Sequence, residues 1–167
     1  APVLEPQHAP VVSLVAPDPF AREGTTNTAT FRVRRVGNTN DDLVVWLSVS
    51  GSAVNGVDYA PLGPTVTIPA GRRSARLTVT PSDDTLPERL ESVLLRVLPS
   101  PTGAQPYEVG RPARAGVVIA DNDRPEPVTQ LLPDGTMHVN VALPPGYPFR
   151  LEASDDLLTW EPIFSAM

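Results

Sequence analysis

The chain has 167 residues, is 41% hydrophobic, carries a net charge of −6, and holds 21 prolines, 11 glycines and no cysteine. That length suffices for one full core plus something smaller, and the lack of cysteine excludes disulfides, thiolate nucleophiles, zinc–thiolate sites and iron–sulfur clusters. No apolar run approaches the roughly 20 residues of a membrane span, so no membrane insertion is expected, and an acidic chain without a basic stripe is a poor partner for nucleic acid.

Residues 1–10 (APVLEPQHAP) carry three prolines and no periodicity, and read as an extended leader. No signal-peptide pattern opens the chain, which is compatible with a processed or trimmed product starting at Ala1. From Val11 onwards, short β-branched runs alternate with turn residues at roughly 8–12-residue spacing, the pattern of a sandwich or barrel. Strand A is expected at Val11–Ala16, interrupted near Pro17 and Pro19 and resuming before Glu23. Strand B follows at about 26–35, C at 42–50, D at 65–68, E at 73–80, F at 89–98 and G at 113–120, with a long proline-bearing hairpin loop over 99–112. No segment keeps a 3.6-residue period, so almost no helix is expected. The fold class read here is all-β: a seven-strand antiparallel Ig-like sandwich over 11–123, a linker at 124–127, and a small partial β-sheet domain over 128–167.

Alternation is cleanest in three strands, where Ala75, Leu77 and Val79, then Val93, Leu95 and Val97, then Ala115, Val117 and Ile119 share one parity. Followed past the strand ends, that parity runs into Asp83, Glu91, Asp121 and Asp123. Antiparallel strands alternate in direction, so the end of E, the start of F and the end of G lie at one end of the sandwich. The A–B loop with Glu23 and the C–D loop with Asp58 fall at the same end, as do Asp84 and Glu88 of the E–F loop. Eight carboxylates gathered in one place repel one another and destabilise the compact state unless a cation neutralises them. Arg22, Arg89 and Arg124 lie close enough in sequence to form a salt-bridge network instead, but three arginines do not balance eight acids. An oxygen-seeking divalent ion does. Calcium takes 6–8 oxygen ligands in flexible geometry, whereas magnesium prefers to keep its water. Asp121-Asn122-Asp123 is not an EF-hand, because Arg124 follows where a glycine-bearing loop is needed.

These residues also fall into a family pattern. Gly51-Ser52-Ala53-Val54-Asn55-Gly56-Val57-Asp58-Tyr59 fits G-x-A-x-x-G-x-D-Y, and Pro69-Ala70-Gly71 precedes strand E. Asp83-Asp84 and Glu88-x-x-Glu91 bracket the E–F loop, and Ile119-Ala120-Asp121-Asn122-Asp123 closes strand G. Together they resemble a Calx-beta domain, the module of sodium–calcium exchangers, integrin β4 and many secreted bacterial proteins. The resemblance covers about residues 11–123. It implies calcium as the bound ion, with Glu23, Asp58, Asp83, Asp84, Glu88, Glu91, Asp121 and Asp123 as its ligands. Within that set, Asp83, Asp84, Glu91 and Asp121 are expected as an inner shell, with Glu88 and Asp123 further out. Asn122 stands between two aspartates where some members are fully acidic, and its amide oxygen is still a hard donor. Tyr59 is expected to pack in the C–D loop rather than touch a ligand, and Trp46 to belong to the core or sheet surface.

Beyond the linker, residues 128–132 and 137–143 around Pro133-Asp134-Gly135 read as a hairpin. A second turn at Pro144-Pro145-Gly146-Tyr147-Pro148 leads to strands at 149–153 and around 159–164. Arg150-Leu151-Glu152-Ala153-Ser154-Asp155-Asp156-Leu157-Leu158-Thr159-Trp160 resembles a sandwich-like repeat at the ends of large secreted bacterial proteins. About 40 residues are too few for an independent sandwich core, yet Leu151, Leu157, Trp160 and Ile163 call for burial. Three explanations compete: the domain is truncated, its strands pack on the Calx-beta-like domain as a satellite, or a neighbouring domain or identical subunit completes the sheet through its edges, with the proline-rich leader as candidate donor.

A catalytic role is not expected. All thirteen cationic residues are arginine, so isopeptide, Schiff-base and P-loop chemistry lack their lysine. The two histidines, His8 and His138, belong to no catalytic pattern, and there is no nucleophile elbow or HExxH. The acids resemble a glycosidase pair only superficially, because aromatics are 5% of the chain and Tyr59 alone falls near them in sequence. The expected function is a secreted, extracellular or cell-surface calcium-binding module with a structural or adhesive role. The alternative is a self-assembling filament or surface-layer subunit joined by β-strand exchange.

Overall fold

A computed structural model of the chain describes residues 8–125, 127–143, 147–156 and 158–166. Most of the predicted leader, Glu126 of the linker, the Pro144–Gly146 turn and Leu157 lie outside the described residues. Within them the structure is all-β, without helix. The chain divides into two compact units, one built from the residues up to Asp84 and Leu90–Asn122, the other from Thr85–Arg89 and the residues from Asp123 on.

The first unit is a two-sheet sandwich. One sheet has the order β6-β3-β1-β8 and the other β2-β9-β7-β4-β5. The strands are β1 (Val11–Asp18), β2 (Phe20–Arg22), β3 (Ala29–Val36), β4 (Leu43–Gly51), β5 (Thr65–Ile68), β6 (Ser74–Val79), β7 (Glu91–Val97), β8 (Glu108–Val109) and β9 (Arg114–Ala120). The predicted first strand is therefore divided between the sheets: β1 pairs antiparallel with β3, while β2 pairs parallel with β9. Proline explains the break, since Pro17 and Pro19 have no N–H to continue a ladder. The predicted 99–112 hairpin loop contains β8, which pairs parallel with β1. The sandwich thus has nine strands, two pairings of them parallel, where seven antiparallel strands are expected from the sequence.

The core follows the alternation. Val12, Leu14, Phe31, Val33, Leu43, Val45, Val79, Val93, Leu95, Val117 and Ile119 are buried between the sheets. Each such side chain contributes about 1.5–3 kcal/mol of hydrophobic stabilisation relative to exposure. Gly51 shows why the C–D motif opens with glycine. Its φ is +138°, and a Cβ there would collide with the carbonyl oxygen of Ser92, so the strand end closes against β7 only without a side chain. Tyr107 is buried, donates its hydroxyl to the Leu98 carbonyl at 2.6 Å and accepts the Trp46 N–H at 3.0 Å. Trp46 itself packs partly buried against the core.

The core-facing row of β3 ends in a charged residue, Arg35, which is 2% exposed. Its guanidinium donates to the carbonyls of Arg72 (2.8 Å), Asp41 (2.7 Å), Thr39 (3.3 Å) and Pro69 (2.9 Å). A buried charge is tolerable only when its donors are satisfied, and the planar fork of arginine suits several convergent carbonyls.

The second unit consists of two hairpins. β10 (Pro127–Leu131) pairs with β11 (Met137–Val141), and β12 (Phe149–Ala153) with β13 (Glu161–Ala166). Phe149 and Phe164 meet with ring centroids 5.6 Å apart. Among the described residues of this unit, Trp160 is 54% and Ile163 62% exposed, and Leu151 is half-buried. Two separate two-stranded sheets offer too little surface for their own side chains to cover.

Candidate metal centre

Pairing brings Glu23 and Asp121 together. On the parallel strands β2 and β9, Ala21 lies opposite Ile119 and Arg22 opposite Ala120, so the next residues on the two strands are Glu23 and Asp121. The Glu23 N–H donates to the Ala120 carbonyl at 3.0 Å, which carries the pairing one step past β2. Ala21 and Ile119 are core residues, and the same parity sets both carboxylates at the rim where the core ends. Glu23 is only 4% exposed. Gly24 follows with φ +62°, and a Cβ on it would lie 2.5 Å from Nδ2 of Asn122. Glycine therefore lets Asn122 lie over the turn between β2 and β3, and it is this close approach that keeps Glu23 against the end of β9.

The C–D loop delivers Asp58 by a different device. Asp58 Oδ2 accepts the Val54 N–H at 2.5 Å, and the Asp58 N–H donates back to the Val54 carbonyl at 3.1 Å, closing a tight turn. Tyr59 bridges to Pro81, and Ser82 donates its N–H to the Asp58 carbonyl at 2.9 Å. The loop is thereby fastened to the chain leaving β6. Tyr59 is 1% exposed and its hydroxyl has no hydrogen-bond partner among the described residues. Burial raises the Tyr59 phenol above its ordinary value, and the charge of Asp58 raises it further. Glu91 opens β7 opposite Ile119, on the strand next to Asp121.

The outcome is two carboxylate groups rather than one crowd. Within the sandwich unit Glu23 and Asp121 form the first, and Asp58 and Glu91 the second; in each pair one ligand oxygen per residue lies within 4.8 Å of the other. One carboxylate oxygen of Glu91 is fully buried. Donors that are all carboxylate oxygen, partly desolvated and contributed by several loops, fit a hard divalent cation, and calcium better than magnesium. Asp83 and Asp84, expected as inner ligands, belong to neither group and are exposed. The physical reason is local. Parity holds while the chain stays paired and extended, and beyond the Tyr59–Pro81 bridge it bends away.

The model of the Calx-beta domain family matches residues 5–123. This chain belongs to the Calx-beta domain family. No curated protein matches it. Among solved structures it is similar to the calcium binding domain CBD12 of CALX1.1, at 22% identity and a TM-score of 0.51, covering 66% of this chain and 44% of that one. It is also similar to the apo-form Calx CBD1 domain, at 21% identity and a TM-score of 0.50, covering 67% of this chain and 98% of that one. The likeness is one of fold, and the chain spans less than half the length of the first of these. The Calx-beta match includes both members of each sandwich pair, Glu23 with Asp121 and Asp58 with Glu91.

The sequence reading misses Arg35 and the division of the acids into two sets. A usable signal for Arg35 was present: it shares parity with Phe31 and Val33, which marks it as core-facing.

Proposed function

We propose that the Calx-beta sandwich binds calcium at its acidic rim and acts, without catalysis, as an extracellular or cell-surface module with a structural or adhesive role. The observation that carries this is the two carboxylate pairs of the sandwich, Glu23 with Asp121 and Asp58 with Glu91, each with ligand oxygens within 4.8 Å of one another and each contributed by two strands or loops. A bound ion ties the β2–β3 loop to the end of β9 at one pair, and the β4–β5 loop to the start of β7 at the other. Binding makes the module stiffer. The non-catalytic reading is supported by the placement of the histidines: His8 precedes β1 at the end of the sandwich away from the rim, and His138 lies on β11. Calorimetric titration of the whole chain with calcium tests the proposal. Saturable binding should be accompanied by thermal stabilisation of RT ln(1 + [L]/Kd), about 2.7 kcal/mol at a hundredfold excess over Kd. An identical melting temperature in chelator and in millimolar calcium refutes it.

A second reading, assembly with neighbouring domains or identical subunits through sheet edges as in a filament or surface layer, is favoured by the second unit. Leu131, Met137, Trp160 and Ile163 are 70, 63, 54 and 62% exposed, and among the described residues each of its four strands has one partner only. Open edges and uncovered apolar side chains invite strand addition. Light scattering against concentration tests it: growth of mass with protection of Trp160 from quencher supports assembly, and a monomer at every concentration refutes it.

A further inference from the structure

We propose a second ligand site, for an oxyanion group, on the sandwich at the end away from the acidic rim. Arg96 of β7 lies directly opposite Arg114 of β9 in the antiparallel ladder. Like charges so placed destabilise a sheet, and a departure from local rules without internal compensation marks a functional position more often than a defect. Arg111, on the loop entering β9, joins them: the three arginines line one open cleft of about 800 Å³ together with Val109 and Pro112. Glu108, the only carboxylate in the 99–113 segment, does not line it. Among the described residues none of the three arginines forms an ion pair. Their charge is thus left for something outside the sandwich.

A second hollow of about 550 Å³ shares Arg96 and Arg114 and continues along the same face past Ser48 and Ser50. Leu94 lies over Gly116 there, at a distance of 2.8 Å from where a Cβ would stand, and gives that part an apolar floor. Guanidinium forks recognise carboxylate, sulfate and phosphate by paired N–H···O bonds. Two forks from adjacent strands, a third across the cleft, hydroxyls beyond and an apolar strip suit an oxyanion carried on an organic skeleton. Register alone does not define the site, because Arg32 of β3 also lies opposite Arg76 of β6. The difference is the third arginine and the cleft.

The Arg32/Arg76 pair is therefore the control. The whole chain, at constant calcium, is titrated calorimetrically with inorganic sulfate and separately with hexaglutamate, for the parent, R96Q/R114Q, R111Q and R32Q/R76Q. Saturable binding of either probe is expected, weakened at least about tenfold in R96Q/R114Q and less in R111Q, and unchanged in R32Q/R76Q. Sulfate binding identifies a free anion as sufficient; binding of hexaglutamate alone identifies carboxylates on a polymer as the source. R96Q/R114Q removes a repulsive pair, so it is expected to melt no lower than the parent. No saturable binding of either probe, or equal weakening in both double variants, overturns the site.

Discussion

Replacing Glu23 by Gln removes one charge from the Glu23–Asp121 pair at nearly constant volume, and the effect should change sign with calcium. In chelator the carboxylates repel. Their ligand oxygens lie within 4.8 Å of one another, and two unit charges at that separation interact by roughly 3.5 kcal/mol at an effective dielectric constant of about 20. Water around the half-exposed Asp121 reduces this to a relief of about 1–2 kcal/mol on neutralising Glu23. At roughly 2–8 °C per kcal/mol, depending on domain size, the chelated variant should melt several degrees above the parent. With calcium, the neutral amide is the poorer oxygen ligand, and each tenfold loss of affinity removes about 1.4 kcal/mol of calcium-linked stability. Differential scanning calorimetry of both proteins in chelator and in saturating calcium reads the two effects separately. A variant less stable than the parent in chelator refutes the repulsion argument, and an undiminished calcium-induced shift refutes the placing of Glu23 in the metal centre.

Asp121→Asn should weaken calcium binding much more than Asp83→Asn, because Asp121 lies in a carboxylate group and Asp83 is exposed outside both; equal losses by calorimetry would show that only overall charge is sensed. Arg35→Met should destabilise the fold by about 2–5 kcal/mol, since the carbonyls of Arg72 and Asp41 each lose a charged donor at roughly 1–3 kcal/mol, while those of Thr39 and Pro69 keep the N–H groups of Gly71 and Arg72. A urea midpoint that falls at constant m, with calcium affinity unchanged because Arg35 lies at the far end, is the expected result. Asp156 caps the turn before β13 by accepting from the Leu158 and Thr159 N–H groups and the Thr159 hydroxyl, and these bonds hold its carboxyl well below the usual range. A depressed folded-state value stabilises the turn above the ordinary aspartate value near 3.9 and loses that contribution as pH falls below it. Carbon-detected NMR titration of Asp156 should show its midpoint below that value, and an unshifted midpoint would refute the capping role.

The sandwich was legible because burial on one face of a strand imposes a period of two, and Val93, Leu95 and Val97 or Val117 and Ile119 can satisfy it in only one way. The positions of Glu91 and Asp121 at the acidic end were legible from the same parity, and that of Glu23 from the direction of the strands on either side of its loop. Asp83 and Asp84 were not, because alternation has no force once the ladder ends at the Tyr59–Pro81 bridge. Parity with Phe31 and Val33 marks Arg35 as core-facing, but what satisfies its charge is not local: four carbonyls from residues 39, 41, 69 and 72 converge there only when the fold is complete. The facing of Arg96 and Arg114 is likewise a matter of register between β7 and β9, which strand periodicity does not specify. In the second unit the turn residues determine two hairpins, but whether Trp160 is covered depends on what packs against them. Sequence alone thus determines which side chains face inward and which end of the sandwich is acidic. Tertiary pairing alone decides which acids meet, because a ligand distance is set between strands far apart in the chain.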